Sequence, residues 1–79
     1  MMGNYTVRAF WDSEAGVWVA ESDDVPGLVT EAETMELLVE KLHGLIPELL
    51  EENGVLTAGI RREIPFCIYG QRMETLAYG

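Results

Sequence analysis

Val17-Trp18-Val19-Ala20-Glu21-Ser22-Asp23-Asp24-Val25-Pro26-Gly27-Leu28-Val29-Thr30 decides the architecture of this 79-residue chain. Val17–Ser22 reads as a strand, Asp23–Gly27 as a tight acidic turn, and Leu28–Ala32 as a second, short strand. Pro26-Gly27 favours a type II turn, because Pro presets φ at the first central position and Gly accepts φ > 0 at the next. Asp23 and Asp24 fit the same turn, since Asp side chains accept hydrogen bonds from backbone N–H groups around such bends.

Upstream, Tyr5–Trp11 alternates Tyr5, Val7, Ala9 and Trp11 against Thr6, Arg8 and Phe10, the period of two that suits a strand. Asp12–Gly16 is a polar turn cluster, so this strand and Val17–Ser22 form a hairpin. Pairing Trp11 with Val17 sets Phe10 opposite Trp18 and Arg8 opposite Ala20. Both faces of the hairpin then carry large apolar groups. Arg8, Phe10 and Trp18 are the candidate contacts for a partner or a second copy, and a homodimer is expected.

Downstream the period becomes helical. Met35, Leu38, Val39, Leu42, Leu45, Ile46, Leu49 and Leu50 recur at three- and four-residue steps, with Thr34 as N-cap and Glu36 in the first turn. Pro47 predicts a kink, since its missing N–H leaves the His43 carbonyl unpaired, and Asn53-Gly54 is a stop signal. Residues 55–62 read as a loop or one helical turn. Ile64–Ala77 reads as a long last strand, its apolar phase switching around a bulge at Gly70. The expected class is α+β: β-β-β-α-β, sheet order 3-2-1-4, with one long helix on one face.

Composition narrows the function. With 48% hydrophobic residues and two Trp, disorder is not expected, and no apolar run suits a membrane span. Met1–Asn4 has neither a basic nor an apolar signal-peptide region, and a lone Cys67 fits a reducing compartment; the expectation is cytoplasmic. Residues 1–53 hold twelve carboxylates against Arg8 and Lys41, a balance of −10; residues 54–79 hold three arginines against two glutamates, a balance of +1. An acidic body repels phosphates, so nucleic-acid binding by this chain alone is not expected, whereas a basic partner is favoured.

The run from Trp11-Asp12 through Gly16-Val17-Trp18-Val19-Ala20-Glu21-Ser22-Asp23-Asp24-Val25-Pro26-Gly27-Leu28-Val29-Thr30-Glu31-Ala32-Glu33-Thr34 and into the helix resembles the HicB-like antitoxin domain. It is most similar to the short standalone members of that superfamily, which have no assigned function. The resemblance covers Tyr5 to about Asn53 well and the final strand loosely. It implies a partial RNase-H-like fold and a role neutralising a small basic RNA-cleaving protein such as a HicA-like toxin. Full-length relatives add a DNA-binding segment; here residues 1–79 are read as a single HicB-like domain without a separate DNA-binding domain.

No residue set reads as an active site. The adjacent carboxylates Asp23 and Asp24 suggest a metal pair or acid–base dyad, against the simpler reading that they shape the turn. His43 reads as a surface residue of the helix and Cys67 as a buried small hydrophobe of the last strand. Arg61 and Arg62 either clasp the acidic helix end or keep a loop solvated. No cofactor is expected. The leading expectation is a non-catalytic protein-interaction domain. The alternatives are a small-ligand regulatory module formed between two protomers, and a remnant metal-dependent nuclease.

Overall fold

The computed structural model describes residues 5–57, 59 and 61–79. Its elements are strands β1 (Tyr5–Asp12), β2 (Val17–Glu21) and β3 (Val29–Ala32), helix α1 (Met35–Glu52) and strand β4 (Phe66–Gln71). They form one sheet in the order β3-β2-β1-β4, antiparallel except for the parallel β1–β4 pair. The expected α+β class and the 3-2-1-4 order are both present.

The β1–β2 hairpin is one residue tighter than the pairing expected from the sequence. Asp12 pairs with Val17 and Trp11 with Trp18. The reason lies in the loop Ser13–Gly16. The Asp12 carboxylate accepts from the N–H groups of Glu14 and Ala15 at 3.1 and 3.2 Å, and the Asp12 carbonyl accepts from Gly16 at 2.8 Å. Gly16 supplies the left-handed φ of +70° that closes this loop. A shift of one residue moves every β2 side chain to the other face of the sheet relative to β1. Trp18 therefore stands beside Trp11, edge to face at 5.6 Å between ring centres, and not beside Phe10.

The core lies between α1 and the face carrying Val7, Ala9, Ala20 and Ala32. Leu38, Leu42, Ile46 and Leu50 recur every four residues and are the helix's buried stripe. Each buried side chain contributes roughly 1.5–3 kcal/mol relative to exposure. Thr34 is the N-cap: its hydroxyl accepts from the Leu37 N–H at 3.1 Å. The helix runs through Pro47 without ending. At its end Gly54 takes φ +76° and the N–H groups of Gly54 and Val55 return to the carbonyls of Glu51 and Leu50, a Schellman cap. Asn53 also donates to the Pro26 carbonyl at 3.2 Å, which ties this end of α1 to the Pro-Gly turn.

The last strand is shorter than expected. It spans Phe66–Gln71 rather than Ile64–Ala77, and it carries no bulge, because Gly70 faces Ala9 in an unbroken parallel register. Gly70 has a packing reason instead: a Cβ there would lie 3.1 Å from the Met35 methyl and 3.6 Å from the Trp18 ring. Beyond Gln71 the Arg72 guanidinium leaves the ladder to stack over Trp11, 4.1 Å from the ring centre, and pairs with Glu74. Residues 72–79 are all exposed. The stretch 55–57 forms no helix, and residues 58 and 60 of the expected loop or turn lie outside the described residues.

Where β2 ends, side chains carry on its work. The β1–β2 ladder stops at the Arg8–Glu21 pair, two residues short of Thr6. The Thr6 N–H donates instead to the Asp24 carboxylate at 2.7 Å, and its carbonyl accepts from the Ser22 hydroxyl at 2.5 Å. The same hydroxyl accepts from the N–H groups of Asp24 and Val25. Ser22 and Asp24 thus replace the next rung of the sheet while the chain bends away. The turn that follows is type II as expected: Gly27 has φ +87° and the Leu28 N–H returns to the Val25 carbonyl at 3.1 Å.

Gly27→Val forces a branched side chain into left-handed backbone and is expected to lower stability by about 1–3 kcal/mol in urea denaturation; an unchanged midpoint overturns the strained-turn reading. Asp24→Ala leaves the Thr6 N–H to water and is expected to cost about 0.5–1.5 kcal/mol, whereas Asp23→Ala leaves the urea midpoint unchanged. Equal effects of the two would show that the Thr6 bond is not what sets Asp24 apart.

Candidate functional site

The face of the sheet away from α1 is the candidate surface. Because Val7 and Ala9 point into the core, the alternation sends Thr6, Arg8 and Phe10 to the other side. The registers then place side chains in rows across the sheet. One row runs Gln71, Phe10, Val19, Glu31; the next runs Tyr69, Arg8, Glu21, Val29. Phe10 is 42% exposed, Tyr69 65% and Val29 71%, so three large apolar groups stand on this face. Arg8, Phe10, Glu21, Tyr69 and Gln71 line a shallow depression at its centre.

Charge surrounds these apolar groups. The Arg8 guanidinium donates to the Asp23 carboxylate at 3.2 Å, an ion pair in which both side chains reach solvent. The hydrogen bond to Asp23, then the charge of Asp23, raise the Arg8 pKa above its ordinary value, with smaller help from Glu21 and Asp24. Arg8, a cation like any arginine, has its carboxylate partner already beside it. Glu21 and Glu31 add further carboxylates on the same face, so its outer potential is negative.

Of the residues singled out from the sequence, Arg8 and Phe10 meet on this face, and Trp18 does not. Trp18 lies on the helix side, half-buried against Trp11 and packed on the core. Tyr69, Val19 and Val29 are residues of this face that sequence reasoning missed. Their signal was present: Tyr69 is the odd-phase residue between Ile68 and Gly70, and Val19 alternates with Trp18 and Ala20 once the hairpin register is right.

The chemical candidates separate. Asp23 is engaged by Arg8 and Asp24 by the Thr6 N–H, so the two adjacent carboxylates point to different partners. Among the described residues no three His, Cys, Asp or Glu side chains converge as a metal site. His43 packs edge-on against Phe66 at 5.5 Å, on the α1 side of β4, while Cys67 alternates to the opposite face. The sheet stands between them. Arg61 and Arg62 are exposed, and the ion pairs among the described residues are Arg8–Asp23 and Arg72–Glu74. No helix among the described residues is long and apolar enough to cross a membrane.

Comparison with known proteins gives a family and a solved relative. No curated protein matches the chain. Among solved structures, a hypothetical protein from the extremely thermophilic bacterium Thermus thermophilus is 51% identical, with a TM-score of 0.69. The match covers 96% of this chain and 100% of that one. A family model, the domain of unknown function DUF1902, matches residues 4–77, and the chain belongs to that family.

Proposed function

We propose that this chain is a non-catalytic protein-interaction domain whose open sheet face docks a small basic protein, in the manner of the HicB-like antitoxin domains its sequence resembles. The observation that carries the reading is the pairing of exposed Phe10, Tyr69 and Val29 with a surround of carboxylates on one face. Charge steers a cationic partner to that face, and aromatic burial holds it there. A HicA-like RNA-cleaving toxin has the required chemistry, and the cytoplasm is where such a pair would act.

The arrangement of reactive groups also favours binding over catalysis. A nuclease needs carboxylates converging on metal ions, and a nucleophile needs a base within reach. Asp24 is a hydrogen-bond acceptor of the sheet, Asp23 is paired with a cation, and His43 and Cys67 are separated by the sheet. The shallow depression around Arg8 supports a second reading, a small-ligand regulatory module, since one guanidinium and two aromatic rings line it.

Affinity capture from the native cell is expected to retain a stoichiometric small basic protein, released as salt rises and lost in Phe10→Lys with circular dichroism unchanged. Retention by Phe10→Lys places the surface elsewhere. Cleavage of RNA or DNA by the pure protein with Mg²⁺ or Mn²⁺, abolished by Asp23→Asn or Asp24→Asn, would overturn the reading in favour of a nuclease.

A further inference from the structure

Three features of the β4 side of the molecule have no role in the open face, and they fit one another. The first is the free edge. Among the described residues β4 pairs with β1 on one side only, and Ile64–Gln71 contains no charged residue. The opposite edge, β3, is blunted: it has four residues, carries Glu31 with Glu33 just beyond, and its Glu31 carbonyl accepts from Lys41 at 2.6 Å. A neutral, apolar six-residue edge is a strand-pairing template that folded proteins otherwise guard.

The second feature is the arm 72–79, which runs out from β4 with Met73 83%, Leu76 88% and Tyr78 101% exposed. The third is a cleft of about 180 Å³ lined by Leu42, His43, Ile46, Pro47, Ile64 and Phe66. It exists because α1 packs over β3 and β2 and stands back from β4, leaving Phe66 and Ile68 half-buried.

We propose that two copies of this chain pair antiparallel through their β4 edges, each laying its arm 72–79 into the cleft between α1 and β4 of the other. Antiparallel strands run head to tail, so the residues after Gln71 of one copy pass beside Pro65 and Ile64 of the other, where the cleft begins. From Met73 to Tyr78 an extended arm spans about 17 Å, and the alternation that keeps Phe66, Gly70 and Arg72 on the α1 side sends Leu76 to that side and Met73 against the seam. Charge favours this seam over others: residues 1–53 carry −10 and repel their copies, whereas residues 54–79 carry +1. The seam borders the open face through Tyr69 and Gln71, but the arm and the cleft lie on the α1 side and take no part in that face.

Sedimentation of the full chain at tens of micromolar is expected to give a dimer of 8.8 kDa subunits, with β4 amides protected from hydrogen exchange. Met73→Asp with Leu76→Asp, on the exposed arm, and His43→Asp, at the exposed lip of the cleft, should each raise the dimer dissociation constant at least tenfold. Both should also speed exchange across Phe66–Gln71. Phe10→Lys should leave the dimer intact while removing any partner from the open face. A monomeric wild type, or a dimer indifferent to both the arm and cleft variants, overturns the proposal.

Discussion

The four-residue loop after Asp12 sets which side of the sheet each β2 residue serves. Its geometry is local: one carboxylate accepting two N–H groups, and one glycine at φ +70°. Its effect is global, because side chains alternate along a strand and a shift of one residue exchanges the two faces. With Asp12 opposite Val17, both tryptophans join the helix-side layer. There Trp18 packs over Gly70 and Trp11 receives Arg72, while the opposite face keeps Phe10, Val19 and Tyr69. A loop longer by one residue would bury a different protein.

Strand order, helix limits, the Thr34 cap and the Pro26-Gly27 turn were legible because each rests on local chemistry: periodicity, a hydroxyl acceptor, and a glycine after proline. The hairpin register was not. Asp12–Gly16 reads equally as a four- or five-residue loop until the Asp12 carboxylate is seen holding Glu14 and Ala15. The end of β4 was hidden for a related reason. Met73 and Ala77 look like strand residues by composition, but both are exposed and the β1–β4 pairing ends at Phe10 and Gln71. Gly70 read as a bulge is instead a glycine required by Met35 and Trp18 from other elements. Such a requirement cannot be read one element at a time.

The candidate surface shows the same division. Phe10 and Arg8 were visible as the out-of-phase residues of β1. Tyr69 was visible only as an odd-phase residue of β4; that it stands beside Arg8 is fixed by a parallel crossover, which leaves no sequence mark of register. Asp23 and Asp24 were read as accepting N–H groups around the turn, and neither does so: Asp23 pairs with Arg8 and Asp24 accepts from Thr6, eighteen positions away, while the Ser22 hydroxyl takes the N–H groups of Asp24 and Val25.

The two outer strands of the sheet are unequal, and this limits how the molecule can grow. A sheet with two open margins can add neighbours on both sides and so propagate into a fibre. Here Lys41 sits on β3 beside Glu31, with Glu33 just beyond, while among the described residues β4 has a neighbouring strand on one side and no charged residue from Phe66 to Gln71. A molecule with one adhesive margin can join one neighbour of its own kind and then has no margin left. If copies pair through β4 as proposed, the lysine on the Glu31 carbonyl is what keeps that assembly finite.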